Sequence, residues 1–234
     1  MKVFISGSTK GIGKQIGIDL LEKGYFVYFN GRNQNSIKDV ASKYPDDGSF
    51  ICQDLSTIDS NIQLGNQFKE DNAYFDVLVC NLGITDRTPF GEIQPEEWNQ
   101  VLETNLSGAF FLVQTLRNNI NRNGRIIFIS SISGIVPDST SISYGVSKAG
   151  INMMVPYLAK EFASKKITVN AIAPGYTMTN WHCEKDNNQI RRIAGKCLAK
   201  RFGEPKEISK LVMAVIENDY INGQVLRIDG GFGL

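Results

Sequence analysis

The chain has 234 residues, 42% of them hydrophobic and 21% charged, with 22 glycines, 7 prolines and a formal net charge of +1. That composition excludes a disordered, collagen-like or low-complexity chain, and the near-neutral balance lacks the basic footprint of a dedicated nucleic-acid binder. A single histidine, His182, leaves no material for a Ser-His-Asp triad or a multi-histidine metal site.

The first predicted strand, Val3–Ile5, runs into SGSTKGIG and a helix expected over Ile12–Lys23. Gly7, Gly11 and Gly13 let the backbone turn sharply and approach a pyrophosphate, while the helix N-terminus offers free N–H groups and a positive dipole. With Ser8, Thr9, Lys10 and Ile12 they form the candidate cradle, although a tight turn without a ligand has a similar composition. A second strand, Phe26–Phe29, ends in FNGRN. Here an NAD-preferring site would offer a carboxylate to the ribose 2′-hydroxyl. The chain instead has Arg32, with Lys10 as a second cation, a pair able to clamp a 2′-phosphate. The alternative is two solvated surface charges.

A helix over Ser36–Lys43 precedes a third strand, after which Asp54 and Leu55 could meet an adenine; Asp54 could equally cap the helix expected over Ile58–Glu70. The strand Val77–Cys80 leads into CNLG, where Gly83 permits close approach beside Asn81. One long helix is expected from Glu96 to Asn118. The strand Ile126–Ile129 ends at Ser130-Ser131, and a helix from Tyr144 to Ser164 opens with YGVSK. Tyr144 and Lys148, four residues apart, share one helical face. An ordinary tyrosine, of pKa about 10, is a poor base near neutrality; lowering it by about three units takes about 4 kcal/mol of differential stabilisation, which Lys148 and a cationic nicotinamide can supply. Pro156 within this helix is expected to kink it at a cost of about 3 kcal/mol. The last strands are expected at Ile167–Ile172 and Val225–Ile228.

The strands are continuously apolar rather than alternating, which implies a sheet covered on both faces and hence parallel strands with helical crossovers. The reading is an α/β chain with a Rossmann-type doubly wound parallel sheet of about seven strands and helices on both faces. Residues 1–234 form one NAD(P)-binding domain. Four cysteines without metal-ligand spacing read as reduced thiols, and no apolar run reaches the length of a membrane span. A soluble, cytoplasmic protein with no membrane, nucleic-acid or metal partner is expected.

The motifs, in this order and spacing, resemble the single-domain short-chain dehydrogenase/reductase family over essentially the whole chain. SGSTKGIG stands for its T-G-x-x-x-G-x-G, CNLG for N-N-A-G, and TNLSG for its asparagine segment. IFISSISG, YGVSK, VNAIAPGYTMTN and INGQVLRIDGG follow in turn. RFGEPKEIS resembles a segment common in 3-oxoacyl-acyl-carrier-protein reductases and in many relatives of other specificity; the chain as a whole is most like the former. Cys80 and Leu82 depart from N-N-A-G. The resemblance implies NADP(H) as cofactor and roles for matching residues. Tyr144 would be the general acid, and Ser131 would orient the carbonyl oxygen. Lys148 would hold the nicotinamide ribose and lower the tyrosine pKa, while Asn105 would position a relay water. Thr177 and Thr179, after Pro174-Gly175, would contact the carboxamide or pyrophosphate.

The resemblance further implies a substrate loop at about residues 178–203. Trp181–Arg201 carries Lys185, Arg191, Arg192, Lys196, Lys200 and Arg201 against Glu184 and Asp186, which favours an anionic substrate or an acidic carrier protein; a solvated basic helix is the alternative. The expected reaction is reduction of a small carbonyl substrate, free or bound to acyl carrier protein as in fatty acid biosynthesis, by a homo-oligomer (dimer or tetramer). A sugar, polyol or small-alcohol dehydrogenase and a non-catalytic NADP-binding regulator are the competing readings.

Overall fold

The structure, a computed structural model, describes residues 1–44, 46–137 and 141–234. Its elements run β1 (Lys2–Ser6), α1 (Gly11–Glu22), β2 (Phe26–Gly31), α2 (Lys38–Lys43), β3 (Gly48–Cys52), α3 (Ile58–Glu70) and β4 (Phe75–Cys80). They continue with α4 (Pro95–Leu102), α5 (Gly108–Leu116), β5 (Ile120–Ile129), α6 (Ile142–Glu161), β6 (Thr168–Pro174), α7 (Asn187–Ala194), α8 (Pro205–Glu217) and β7 (Val225–Ile228). Among the described residues the seven strands form one parallel sheet in the order β3-β2-β1-β4-β5-β6-β7.

The continuous apolar strands are explained by cover on both faces. In β1, Val3 and Ile5 point to one side and Phe4 to the other, and all three are buried. On the first side Ile16 and Leu20 of α1 and Ile208 and Val212 of α8 close over Val77, Val79, Ile127 and Ile129. On the second, Leu64 and Phe68 of α3, Leu112 and Leu116 of α5, and Ile151 and Val155 of α6 close over Phe4, Leu78, Ile126 and Phe128. A fully buried side chain of this size contributes about 1.5–3 kcal/mol, so the sheet is held equally from both layers.

From β1 the chain builds outward to β2 and β3, then returns across β1 to place β4 on its other edge. Crossovers therefore diverge at the carboxyl ends of β1 and β4 and leave a crevice there, the usual place for a ligand in such a sheet.

Three boundaries differ from the sequence reading. The helix expected over Glu96–Asn118 is two helices joined by a π-helical turn, Glu103–Ser107. The wide turn brings Thr104 and Asn105 inward: Thr104 Oγ1 donates to the Ser56 carbonyl, and Asn105 bonds both backbone groups of Ile84. β5 starts at Ile120, six residues early, because the polar stretch Asn121–Asn123 hid its beginning. α6 starts at Ile142, capped by Ser141, whose hydroxyl accepts the Tyr144 N–H at 3.2 Å. That helix passes through Pro156 as one continuous element.

Candidate active site

The turn after β1 places Gly7 at φ +62° and Gly11 at φ +56°, a region that favours glycine. Lys10 is the N-cap of α1, and its side chain makes no cap bond, so the first amides of the helix stay available to an anion. The turn is braced from below. Gly7 N–H donates to Asn30 Oδ1 at 3.1 Å, and Asn81 Nδ2 donates to the Gly7 carbonyl at 2.7 Å. Asn30 in turn donates to the carbonyls of Ile51 and Gln53, which ties the ends of β1, β2 and β3 together.

A cleft of about 310 Å³ lies over this turn. Gly7, Thr9, Lys10, Gly11, Ile12 and Arg32 line one end, and Asp54, Leu55, Asn81 and Gly83 continue it. Ser131, Tyr144, Lys148, Pro174, Gly175, Thr177 and Thr179 line the other end. Three candidates stand behind this wall rather than on it. Ser8 is fully buried; its hydroxyl donates to the Ile5 carbonyl and accepts from Asn30 N–H. Gly13 packs against Asn81, whose Nδ2 a Cβ there would approach to 2.4 Å. Asn105 is fully buried, accepting the Ile84 N–H at 2.8 Å and donating to the Ile84 carbonyl and Ser147 Oγ.

Arg32 and Lys10 both border the cleft. The nearest carboxylate to Arg32 is Asp54, at 3.8 Å, with both side chains half-exposed or more. Asp54 Oδ1 also accepts the Ser56 N–H at 3.0 Å, a local turn rather than a helix cap; Thr57 caps α3. The residues present fit a phosphorylated dinucleotide: positive-φ glycines against an uncapped helix N-terminus, with two cations at the far end of the cleft. Gly83 preserves the approach at the other end, since a Cβ there would lie 3.4 Å from both Asn105 Oδ1 and Lys148 Nζ.

Ser131, Tyr144 and Lys148 meet where β5 ends and α6 begins. Ser131 hydrogen-bonds the Tyr144 hydroxyl, and its Oγ accepts the Ser133 N–H at 3.1 Å. Lys148 Nζ donates to the Ile129 carbonyl at 2.8 Å and lies 5.6 Å from the Tyr144 ring centroid. The helix is fastened to the serine turn: Ser130 Oγ donates to Asn152 Oδ1 at 2.6 Å, and Asn152 Nδ2 donates to the Gly134 carbonyl. Asn105, through Ser147 Oγ and the Tyr144 carbonyl, links the π-helical turn to the same helix.

Burial dominates the electrostatics of the pair. Burial pushes the Tyr144 phenol up to about 12, against the opposing pull of its bond to Ser131. Burial also pushes Lys148 down to about 8. Desolvation thus outweighs the help expected from Lys148, whose ammonium is engaged by the Ile129 carbonyl. The phenol is a protonated donor near neutrality. Cys80, also buried, is pushed up to about 12 and stays a thiol.

A second chamber, of about 550 Å³, opens on the other side of Tyr144 and shares Ser131, Tyr144, Gly175, Trp181 and His182 with the first. Trp181 lies edge-on to Tyr144 at 5.6 Å, and His182 packs against Tyr176 and Phe202. Of the predicted basic segment, Lys185, Arg192 and Lys196 face the chamber. Lys200 instead bonds the Gly195 carbonyl and Arg201 pairs with Glu207. Sequence reasoning read His182 as a substrate-pocket or surface residue and did not select Asn30, Gln53, Arg87 or Trp181 as site residues. The available signal was position: Trp181 lies two residues past Thr179, and Arg87 lies four residues past Gly83.

A family model described as enoyl-(acyl carrier protein) reductase matches residues 7–233. The 3-oxoacyl-(acyl-carrier-protein) reductase of Haemophilus influenzae is 32% identical, covering 98% of this chain and 97% of its own. A tropinone reductase homologue of Arabidopsis thaliana is 30% identical over 97% of this chain and 90% of its own. Among solved structures, a Pseudomonas aeruginosa RhlG/NADP active-site complex superposes with a TM-score of 0.91 at 28% identity, covering 100% of this chain and 96% of that one.

Proposed function

The chain belongs to the short-chain dehydrogenase/reductase family and is an oxidoreductase of that family; on that premise we propose that it uses NADP(H) to reduce a ketone to a secondary alcohol, with a 3-oxoacyl thioester as acceptor. The observation that carries the reading is Tyr144, a protonated phenol bonded to Ser131 at the junction of two chambers. One chamber has the glycine turn and the Arg32–Lys10 pair; the other is open to a substrate. The acceptor class is supported by relatives named 3-oxoacyl-(acyl-carrier-protein) reductase.

When bound, the reduced nicotinamide supplies the hydride. The protein's part is to fix the carbonyl and deliver a proton. Ser131 and Tyr144 hold the carbonyl oxygen between two hydroxyls, and Tyr144 passes its proton to that oxygen as negative charge develops. The resulting phenolate faces the Lys148 ammonium, which favours the charged form. Lys10 and Arg32 hold the 2′-phosphate, and the open amides of α1 hold the pyrophosphate. Asn105 is a positioning residue: by fastening Ile84 and Ser147 it keeps Gly83 and α6 in register across the cleft.

The reading includes a cytoplasmic homo-oligomer in fatty acid biosynthesis. Four free thiols, Cys52, Cys80, Cys183 and Cys197, support a reducing setting. Val146, Met153 and Tyr157, exposed along α6, support a subunit contact. A sugar or polyol acceptor is the second reading, supported by Thr85, Ser133 and Gln189 in the outer chamber.

The test is oxidation of NADPH and NADH in parallel, with a short neutral 3-oxoacyl thioester as acceptor. Turnover confined to NADPH is the expected result. Preference for NADH would remove the Arg32–Lys10 clamp. Absence of turnover with the thioester, alongside turnover of a ketone or sugar, would replace the acceptor class.

A further inference from the structure

The outer chamber has a one-sided charge. Arg87, Lys185, Arg192 and Lys196 line it together, and no carboxylate does among its lining residues. Arg87 comes from the segment after β4, while the other three come from the segment leading into and out of α7, so two separate parts of the chain converge with the same sign. On α7 the spacing does this directly: Gln189, Arg192 and Ile193 fall three and four apart and share one face, and Lys196 follows in the turn after the helix. Arg191, the neighbouring cation, is turned away from the chamber.

Glu184 lies 3.7 Å from Arg87 and is largely exposed. Arg87 also donates to the Trp181 carbonyl at 3.1 Å, so its guanidinium is held at the chamber mouth. The positive field reaches inward. Burial, with Lys185 and Arg87 adding to it, pushes His182 down to about 4, which keeps that imidazole neutral. Converging cations of one sign repel one another, a cost that a bound anion relieves.

We infer that the outer chamber binds an anionic group covalently part of the substrate, a phosphate or a carboxylate, through Arg192 and Lys185. This rests on the reading of Tyr144 as the proton donor to a ketone, and it narrows the substrate to carbonyl compounds carrying their own anion. Because these cations line the same chamber as Ser131 and Tyr144, the anion belongs to the molecule being reduced. An acidic carrier surface would meet cations on the outside, such as Arg191. The phosphate of a pantetheine arm and the carboxylate of a free oxo acid are the two sources.

Two substrate pairs separate them. Acetoacetyl-pantetheine and acetoacetyl-4′-phosphopantetheine share a reacting end and the whole arm and differ in the phosphate. Methyl acetoacetate and acetoacetate differ in the carboxylate. Each pair is assayed with NADPH on the wild type and on Lys185→Gln/Arg192→Gln. The expected result is a ratio of kcat/KM, anionic over neutral, of about tenfold or more in one pair. That ratio falls toward one in the double variant and shrinks with added salt. Which pair responds identifies the source. A ratio near one in both pairs, or a ratio that survives neutralisation, overturns the inference.

If none of the four is reduced, the acceptor reading has failed and the inference is judged by binding. Calorimetric titration of the NADP⁺-loaded protein with inorganic phosphate and with acetoacetate then decides. Binding that is lost in a double variant still able to take up NADP⁺ supports the chamber's role, and absence of binding to the wild type overturns it.

Discussion

Trp181 stands edge-on against Tyr144, ring centroids 5.6 Å apart and planes at 66°. The first ring belongs to the segment after β6 and the second to α6, so a side chain from that segment packs against the tyrosine. Arg87 holds the carbonyl of the same tryptophan. Part of the burial of the half-buried Tyr144 comes from this contact.

Tyr144→Phe keeps the ring and the Trp181 contact while removing the proton. Turnover should fall by about 10²–10⁴-fold, the usual share of a positioned acid. NADPH affinity should stay within about threefold, since the other cofactor contacts remain. Steady-state kinetics and NADPH fluorescence titration read the two quantities. Unchanged turnover would favour the non-catalytic regulator.

The pH dependence should follow Lys148 before Tyr144. With Lys148 near 8 and Tyr144 near 12, the phenol keeps its proton throughout the neutral range. The ammonium beside it is lost as pH rises through about 8. Reduction, read as kcat/KM against pH, should be level on the acid side and fall with an apparent pKa near 8. Stability has its own windows. Between about 8 and 10.5 the unfolded chain holds the lysine proton more tightly, so Lys148 makes stability rise with pH. Between about 10 and 12 the folded protein holds the tyrosine proton more tightly, so Tyr144 makes stability fall. Denaturant titrations of the wild type, Lys148→Met and Tyr144→Phe across that range check both signs.

Arg32→Ala should weaken NADPH selectively. Charge-assisted hydrogen bonds contribute about 1.5–3 kcal/mol, which corresponds to about a 10–100-fold rise in KM for NADPH. KM for NADH should move little, because Arg32 has no phosphate to meet there. Equal losses with both cofactors would mean that Arg32 acts through its pairing with Asp54 and not on the 2′-phosphate.

Gly134 is the tightest joint between the serine turn and the catalytic helix. A Cβ at this position would lie 2.6 Å from the Lys148 carbonyl carbon and 2.7 Å from the Ala149 nitrogen, both backbone atoms that cannot swing aside. Gly134→Ala should cost about 1–3 kcal/mol of stability, as overpacking does, and should lower turnover by moving α6 off Ser131. Gly48→Ala, where a Cβ meets nothing nearer than 3.5 Å, serves as the control for thermal unfolding and activity.

Much of this molecule is legible in its sequence, for reasons that particular residues make plain. Strands buried on both faces, such as Val77–Cys80, announce themselves as unbroken apolar runs. β5 does not, because its first turn of chain is Asn121-Arg122-Asn123, polar residues at the sheet's lower edge. Ser8 and Gly13 look like ligand contacts because the motif contains them, yet they serve the backbone behind the cradle. The burial of Tyr144 was not legible, because a four-residue spacing reveals a neighbouring charge but not the depth at which the pair sits. Arg87 and Trp181 were missed since they reach the site from loops, where no periodicity marks which way a side chain turns.

The π-helical turn at Glu103–Ser107 gives the chain two reading frames within what looks like one helix. An α-helix advances about 100° per residue, so a wide turn offsets everything after it relative to everything before. Deleting a single residue there would let the segment close into a regular helix, and would rotate Leu112, Val113 and Leu116 away from the sheet they now cover. Length in this segment is thus constrained as strictly as the identities of Thr104 and Asn105, because the number of residues between Leu102 and Gly108 sets which side chains after it meet the sheet.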